Sequence, residues 1–126
     1  IHYNYPTMKE NNQNSNTLFI ATKEPNGLMI DFLSRTNQRY SVPKHLILEN
    51  RFFPGDRISV RFGSLTLTIS GKNLLPVYKA IGSQKIVAMR EGCPDRESEE
   101  NFATWIDSIE IAKPTRTGEE VKIFPE

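Results

Sequence analysis

The chain has 126 residues, 37% of them hydrophobic and 25% charged, with one cysteine and a formal net charge of +1. That length suits one domain, able to bury about two-thirds of its unfolded surface without metal or cross-link. The lone Cys93 excludes an internal disulfide framework, and no apolar run approaches the ~18 residues of a membrane span. No basic-then-apolar leader and no Asn-x-Ser/Thr acceptor occurs, so a reducing cytoplasm is the expected compartment.

Residues 1–16 (IHYNYPTMKENNQNSN) lack apolar periodicity and are rich in asparagine. They are expected to form a disordered or tag-derived arm, with Met8 as a candidate native start, ahead of one β-rich domain over 17–126. Thr17–Lys23 is a first strand, with Leu18 and Ile20 on one face. Glu24-Pro25-Asn26-Gly27 is a turn. Leu28–Leu33 and Arg39–Val42 alternate in polarity. If they pair so that Ile30 faces Val42, Phe32 faces Tyr40 and Asp31 faces Ser41, no face is mixed, whereas a slip of one residue mixes both. Pro43–Asn50 is ambiguous and reads as a short helical turn that carries Leu46 and Ile47 into the core.

Asp56–Ser70 is the clearest element. Ile58, Val60 and Phe62 alternate with Arg57, Ser59 and Arg61, and Leu65, Leu67 and Ile69 alternate with Thr66, Thr68 and Ser70. Gly63-Ser64 between them suits a type II′ turn, whose geometry fixes the register. Ile58 then meets Ile69, Val60 meets Leu67 and Phe62 meets Leu65. On the opposite face Arg57 meets Ser70, Ser59 meets Thr68 and Arg61 meets Thr66. Turn chemistry and polarity agree on this one arrangement. Asn73 is placed to cap a helix over Leu74–Ile81 that Gly82 ends, with Pro76 in its first turn and Leu74, Val77, Tyr78 and Ile81 on one stripe. Gln84–Met89 is a strand, Arg90–Asn101 an exposed acidic loop with a short turn near Glu97–Asn101, Ala103–Ala112 a strand, and Val121–Phe124 a last short strand.

The resulting fold class is mainly β: a small barrel or roll of about seven to eight short antiparallel strands, with one short helix at about 74–81 on the sheet. The expected core is Leu18, Ile20, Ile30, Phe32, Tyr40, Val42, Ile58, Val60, Phe62, Leu65, Leu67, Ile69, Leu74, Val77, Ile81, Val87, Trp105 and Ile109.

Charge is unevenly distributed. Between Arg35 and Arg90 ten Lys/Arg face only Glu49 and Asp56, whereas from Glu91 to Glu126 ten acids face four bases. A basic body with an acidic end points to charge-complementary contacts, either within the chain or with a partner. The hairpin register puts Arg57 and Arg61 on one exposed face, about 13 Å apart at ~3.3 Å per residue. Thr66 and Thr68 lie opposite them and Lys72 follows. This is a candidate anion- or partner-binding face. The same parity turns Phe62 and Tyr40 inward, so no stacking aromatic is expected beside the arginines.

Other chemistry finds little purchase. One cysteine and two histidines do not make a zinc site, and Asp95, Glu97, Glu99 and Glu100 do not have EF-hand spacing. Cys93 sits between Glu91 and Asp95, acids that oppose thiolate formation. No Gly-x-Ser-x-Gly elbow and no phosphate loop is present, and Gly71-Lys72-Asn73 reads as a plain helix start. No catalytic residue, metal or cofactor is assigned. The leading functional expectation is a non-enzymatic accessory domain whose partner is another protein, with self-association open. A nucleic-acid-binding module using the basic face is the alternative, and a small enzyme of unknown reaction stands third.

Overall fold

A computed structural model describes residues 17–23 and 27–126. The arm at 1–16 and the Glu24-Pro25-Asn26 part of the first turn lie outside the described residues. The elements in chain order are β1 (Phe19–Ala21), β2 (Met29–Leu33), β3 (Arg39–Pro43), a 3-10 turn (Lys44–Leu46), β4 (Ile47–Phe53), β5 (Arg57–Phe62), β6 (Leu65–Lys72), α1 (Leu75–Gly82), β7 (Ile86–Arg90), a second 3-10 turn (Glu99–Asn101), β8 (Trp105–Pro114) and β9 (Glu120–Phe124).

The protein is mainly β, but the described residues form nine strands, not seven to eight, in two sheets and no closed barrel. Sheet A has the order β1-β7-β2-β3 and sheet B the order β4-β5-β6-β8-β9. The β5–β6 hairpin has the register its alternation dictates, from Arg57↔Ser70 through Val60↔Leu67 to Phe62↔Leu65. Gly63 takes φ +60° and Ser64 stays outside the positive region, as the type II′ turn requires. The β2–β3 hairpin likewise pairs Ile30 with Val42, Asp31 with Ser41 and Phe32 with Tyr40.

Three expectations change. The strands are not all antiparallel, because β7 inserts between β1 and β2 and runs parallel to β2 (Asp31↔Ala88, Phe32↔Met89). A central strand flanked on both edges shows no clean alternation here: Ile86, Ala88 and Met89 are all buried while Val87 is only half-buried. Next, the Pro43–Asn50 stretch is only briefly helical. Its turn sends Lys44 inward (5% exposed) and leaves Leu46 37% exposed. Lys44 Nζ donates to the Gln84 carbonyl at 2.9 Å, and burial holds its pKa below the usual lysine value. Ile47–Phe53 then runs as β4, which the sequence conceals because a bulge between Ile47 and Glu49 interrupts the period of two. Finally, Asn73 does not cap the helix. It takes φ +54° and donates to the Ala103 carbonyl, while the carboxylate of Asp56 accepts from Leu74 N at 3.2 Å. An acid at a helix N-terminus also complements its dipole.

One contiguous core joins both sheets and the helix. It takes Ile30 and Phe32 from sheet A, Ile58, Val60, Leu67 and Ile109 from sheet B, and Leu74, Val77 and Ile81 from the helical segment. Ile20, Tyr40, Leu65 and Val87 are only half-buried, while Ile86, Met89, Ile106, Ile111 and Phe124 join the core. Helix α1 bridges the sheets by contacting β4 and β7.

Two glycines separate close approach from simple flexibility. A Cβ on Gly71, at the β6 bulge, would overlap the Trp105 carbonyl oxygen and lie 2.9 Å from its carbon. A Cβ on Gly82, the last residue of α1, would meet only Asn50 Nδ2 at 3.5 Å. Gly71→Ala is therefore expected to destabilise by about 2–4 kcal/mol, whereas Gly82→Ala should stabilise by roughly 0.5 kcal/mol. Urea unfolding of the two variants checks both signs.

Candidate functional site

The charge split is partly settled inside the molecule. Arg90 reaches Glu97 through two contacts, at 3.0 and 2.6 Å, and Glu97 also accepts from Cys93 N at 2.9 Å. The hydrogen bonds from Arg90, and the amide of Cys93, hold the Glu97 carboxyl below its ordinary pKa against the opposing effect of partial burial. Lys72 pairs with Glu99, which raises its pKa. Arg35 lies 3.8 Å from Glu91 and 3.9 Å from Asp107. Three bases of the body are thus taken up by acids of the 91–107 stretch. The Cys93 thiol has Arg96 Nη2 at 3.1 Å as its neighbour, because the Glu91 side chain turns away into the fold.

Arg57, Arg61, Thr66 and Thr68 do share the outer face of sheet B, with Ser59 between the arginines. Lys72 does not join their row. It follows the bulge between Ser70 and Gly71 and is held by Glu99. Strand β4 adds Arg51, opposite Ser59, and Phe53, opposite Arg57. Arg57 Cζ lies over the Phe53 ring, 4.5 Å from its centroid, and Arg51 Cζ lies 6.0 Å from the same ring. An aromatic therefore does stand beside the arginines, contrary to the expectation from parity. It comes from β4, a strand that polarity alternation does not reveal. The face is mixed in charge: Glu49 lies opposite Arg61 and pairs with Arg51 at 3.1 Å, Glu110 lies opposite Thr68, and Glu120 accepts from Thr66. Among the described residues Arg57 and Arg61 have no ion-pair partner.

The outer face of sheet A is chemically different. Leu18, Ile20, Leu33 and Ala88 line an apolar hollow of about 240 Å³, with Asp31, Arg39 and Arg90 around it. The alternation that turns Ile30 and Phe32 into the core necessarily turns Met29, Asp31 and Leu33 outward. Asp31 accepts from the Ser41 hydroxyl and Arg90 is held by Glu97, whereas Arg39 is exposed without an ion pair among the described residues. Met29 (42% exposed) and Leu28 (81%) continue the apolar character beyond the hollow.

Between the two sheets, Glu91 is 6% exposed and fully engaged. Its Oε1 accepts from Arg35 N at 2.9 Å and its Oε2 from Ile109 N at 2.8 Å. It borders a wider ionic cleft with Arg35, Asp107, Glu110, Lys122 and Glu126. Among the described residues no group of three or more His, Cys, Asp or Glu is arranged to hold a metal, and no helix is long and apolar enough to cross a membrane. Comparison of the chain with family models, curated proteins and solved structures finds no match.

Replacing Glu91 by Gln keeps one acceptor oxygen but sets an amide N–H₂ against one of the two backbone N–H groups, of Arg35 or Ile109, that the carboxylate accepts from. The expected loss is about 2–3 kcal/mol in chemical denaturation at neutral pH. Glu97, with its folded pKa depressed, contributes stability that is present above the unfolded carboxyl pKa and is lost as pH falls through the lower folded value. Glu97→Gln should remove that contribution. The gap in melting temperature between wild type and variant should then be widest at neutral pH and narrow in acid below the ordinary glutamate value of 4.5.

Proposed function

We propose that this chain is a non-catalytic binding module that takes a short peptide segment of a partner protein at the hollow on the outer face of sheet A. The supporting observation is the hollow itself: an apolar floor of Leu18, Ile20, Leu33 and Ala88, framed by charged side chains on a sheet face. An apolar floor with a few placed polar groups is the general form of a binding site.

Size and charge argue for the occupant. Three strands of five residues and the three-residue β1, about 4.8 Å apart at ~3.3 Å per residue, present a sheet outline of roughly 300 Å². A stable interface between folded partners needs about 800 Å² from each side. The face is therefore too small by itself for a second copy or a folded partner, and suits a segment of a few residues. Arg39 at the rim, without an ion pair among the described residues, favours an acidic neighbour to the apolar side chain that fills the hollow.

The test is amide chemical-shift mapping with two blocked peptides, acetyl-Glu-Phe-Leu-Glu-amide and acetyl-Lys-Phe-Leu-Lys-amide. The acidic peptide should bind more tightly and move the amides of Ile20, Leu33 and Ala88. Arg39→Ala should weaken it by about two- to five-fold. Equal binding of the two peptides, or shifts confined to sheet B, would overturn the reading. Concentration-dependent shifts at the same amides without peptide would overturn it in favour of self-association.

A further inference from the structure

We infer that the outer face of sheet B, around Arg57, Phe53 and Arg61, binds the sugar-phosphate strand of single-stranded nucleic acid. This site is on the other sheet from the peptide hollow and does not depend on it. The carrying observation is that Phe53 holds Arg57 beneath a cation–ring contact of 4.5 Å, while Arg57 and Arg61 have no ion-pair partner among the described residues.

An aromatic ring beneath a guanidinium restricts it to one plane, so less side-chain freedom is lost when it meets an anion. A guanidinium so held keeps N–H donors for a phosphate and can itself stack on a base. Arg61 projects from the same strand and face, about 13 Å further along. At ~3.4 Å of rise per nucleotide that span corresponds to about four stacked nucleotides, the lower end of the site sizes of sheet-based single-strand binders. Ser59 and Thr68 lie between the two arginines and supply hydroxyls along the path. The acids on the face set its limits. Glu49 engages Arg51 and faces Arg61, and Glu110 lies across the sheet. The phosphate path therefore follows β5 and not the whole sheet, and Glu49 weakens it.

Duplex recognition is disfavoured by the same geometry. On this face the described residues offer a sheet and no helix to enter a groove, and an arginine–aromatic pair on a sheet matches unpaired bases. An acidic polypeptide would satisfy the arginines but has no base to stack.

The test uses the 126-residue chain and a fluorescently labelled oligothymidylate, with anisotropy measured between ~50 and ~200 mM salt. Binding should weaken linearly on a log–log plot. Arg57→Ala with Arg61→Ala should lower the slope by about 1.4, at about 0.7 per phosphate contact on a single strand. Both arginines are exposed, so the double variant should stay folded and lose no more than the small contribution of the Arg57–Phe53 contact, which a melting curve checks. Glu49→Gln should tighten binding by about two- to five-fold. Oligothymidylate should compete at least ~5-fold better than inorganic polyphosphate of equal charge, because only the former can stack. No binding at low salt, an unchanged slope in the double variant, or equal competition by polyphosphate or polyglutamate would each overturn the inference. The peptide shifts on sheet A should be unaffected by the double variant, which keeps the two readings separable.

Discussion

Glu91 and Gly92 form the seam between the two sheets, and most of the molecule is arranged around it. The Glu91 amide donates to the Leu33 carbonyl at the end of β2 in sheet A, and the next amide, of Gly92, donates to the Ile106 carbonyl of β8 in sheet B. The Glu91 carboxylate repeats the link, one oxygen on the amide of Arg35 after β2 and the other on the amide of Ile109 in β8. Gly92 lies so close to the Trp105 ring that any Cβ would overlap it. An acidic side chain is costly to bury alone, but two backbone donors and a nearby guanidinium offset that cost. Two sheets that share one core are thereby locked by polar contacts as well as by apolar burial.

The position of β7 is tied to that seam. Strand β7 pairs parallel with β2 and antiparallel with β1, and the bond from Glu91 to Leu33 continues the parallel pairing up to the seam. It becomes the central strand of sheet A, and its small Ala88 leaves the outer face hollow between Ile20 and Leu33. The apolar surface on that side is a consequence of how the sheets are joined. The acidic stretch that follows has its direction set at the same point: Glu97 returns to Arg90, and Glu99 reaches Lys72. Acids that could have covered the basic face of sheet B are spent near the seam instead. Among the described residues Arg57 and Arg61 have no ion-pair partner.

The candidate sites differ in how they were built. The row of Arg57, Arg61, Thr66 and Thr68 is a property of one hairpin, in which period-two alternation and a Gly-Ser turn prescribe both pairing and facing. Phe53 was hidden because β4 is bulged and carries Leu48, 65% exposed, where a regular strand on a core would place a polar residue. Two consecutive phenylalanines say that one must face outward, but not which strand will lie beside it. Lys72 follows the arginine hairpin in sequence, where it could extend the same patch. The bulge at Gly71, forced by the approach of Trp105, ended the alternation of β6 and left the lysine to Glu99.

The sequence by itself determined the register of the two hairpins, the presence of a short apolar-striped helix, the β character of the chain and the face shared by Arg57 and Arg61. Those features rest on neighbours in the chain, where alternation, turn chemistry and helical spacing act over a few residues. Only the tertiary structure decided that the hairpins belong to different sheets, that β7 lies parallel between β1 and β2, that Glu91 is a buried link and not a surface acid, and that Phe53 supports Arg57. The first three join segments far apart in the chain, such as Arg35 with Glu91 and Asp31 with Ala88, whereas Phe53 and Arg57 are close in sequence and are hidden by the bulge that breaks the period of β4. Long-range pairings leave no local period to read, because they are selected by which surfaces fit once the local elements exist.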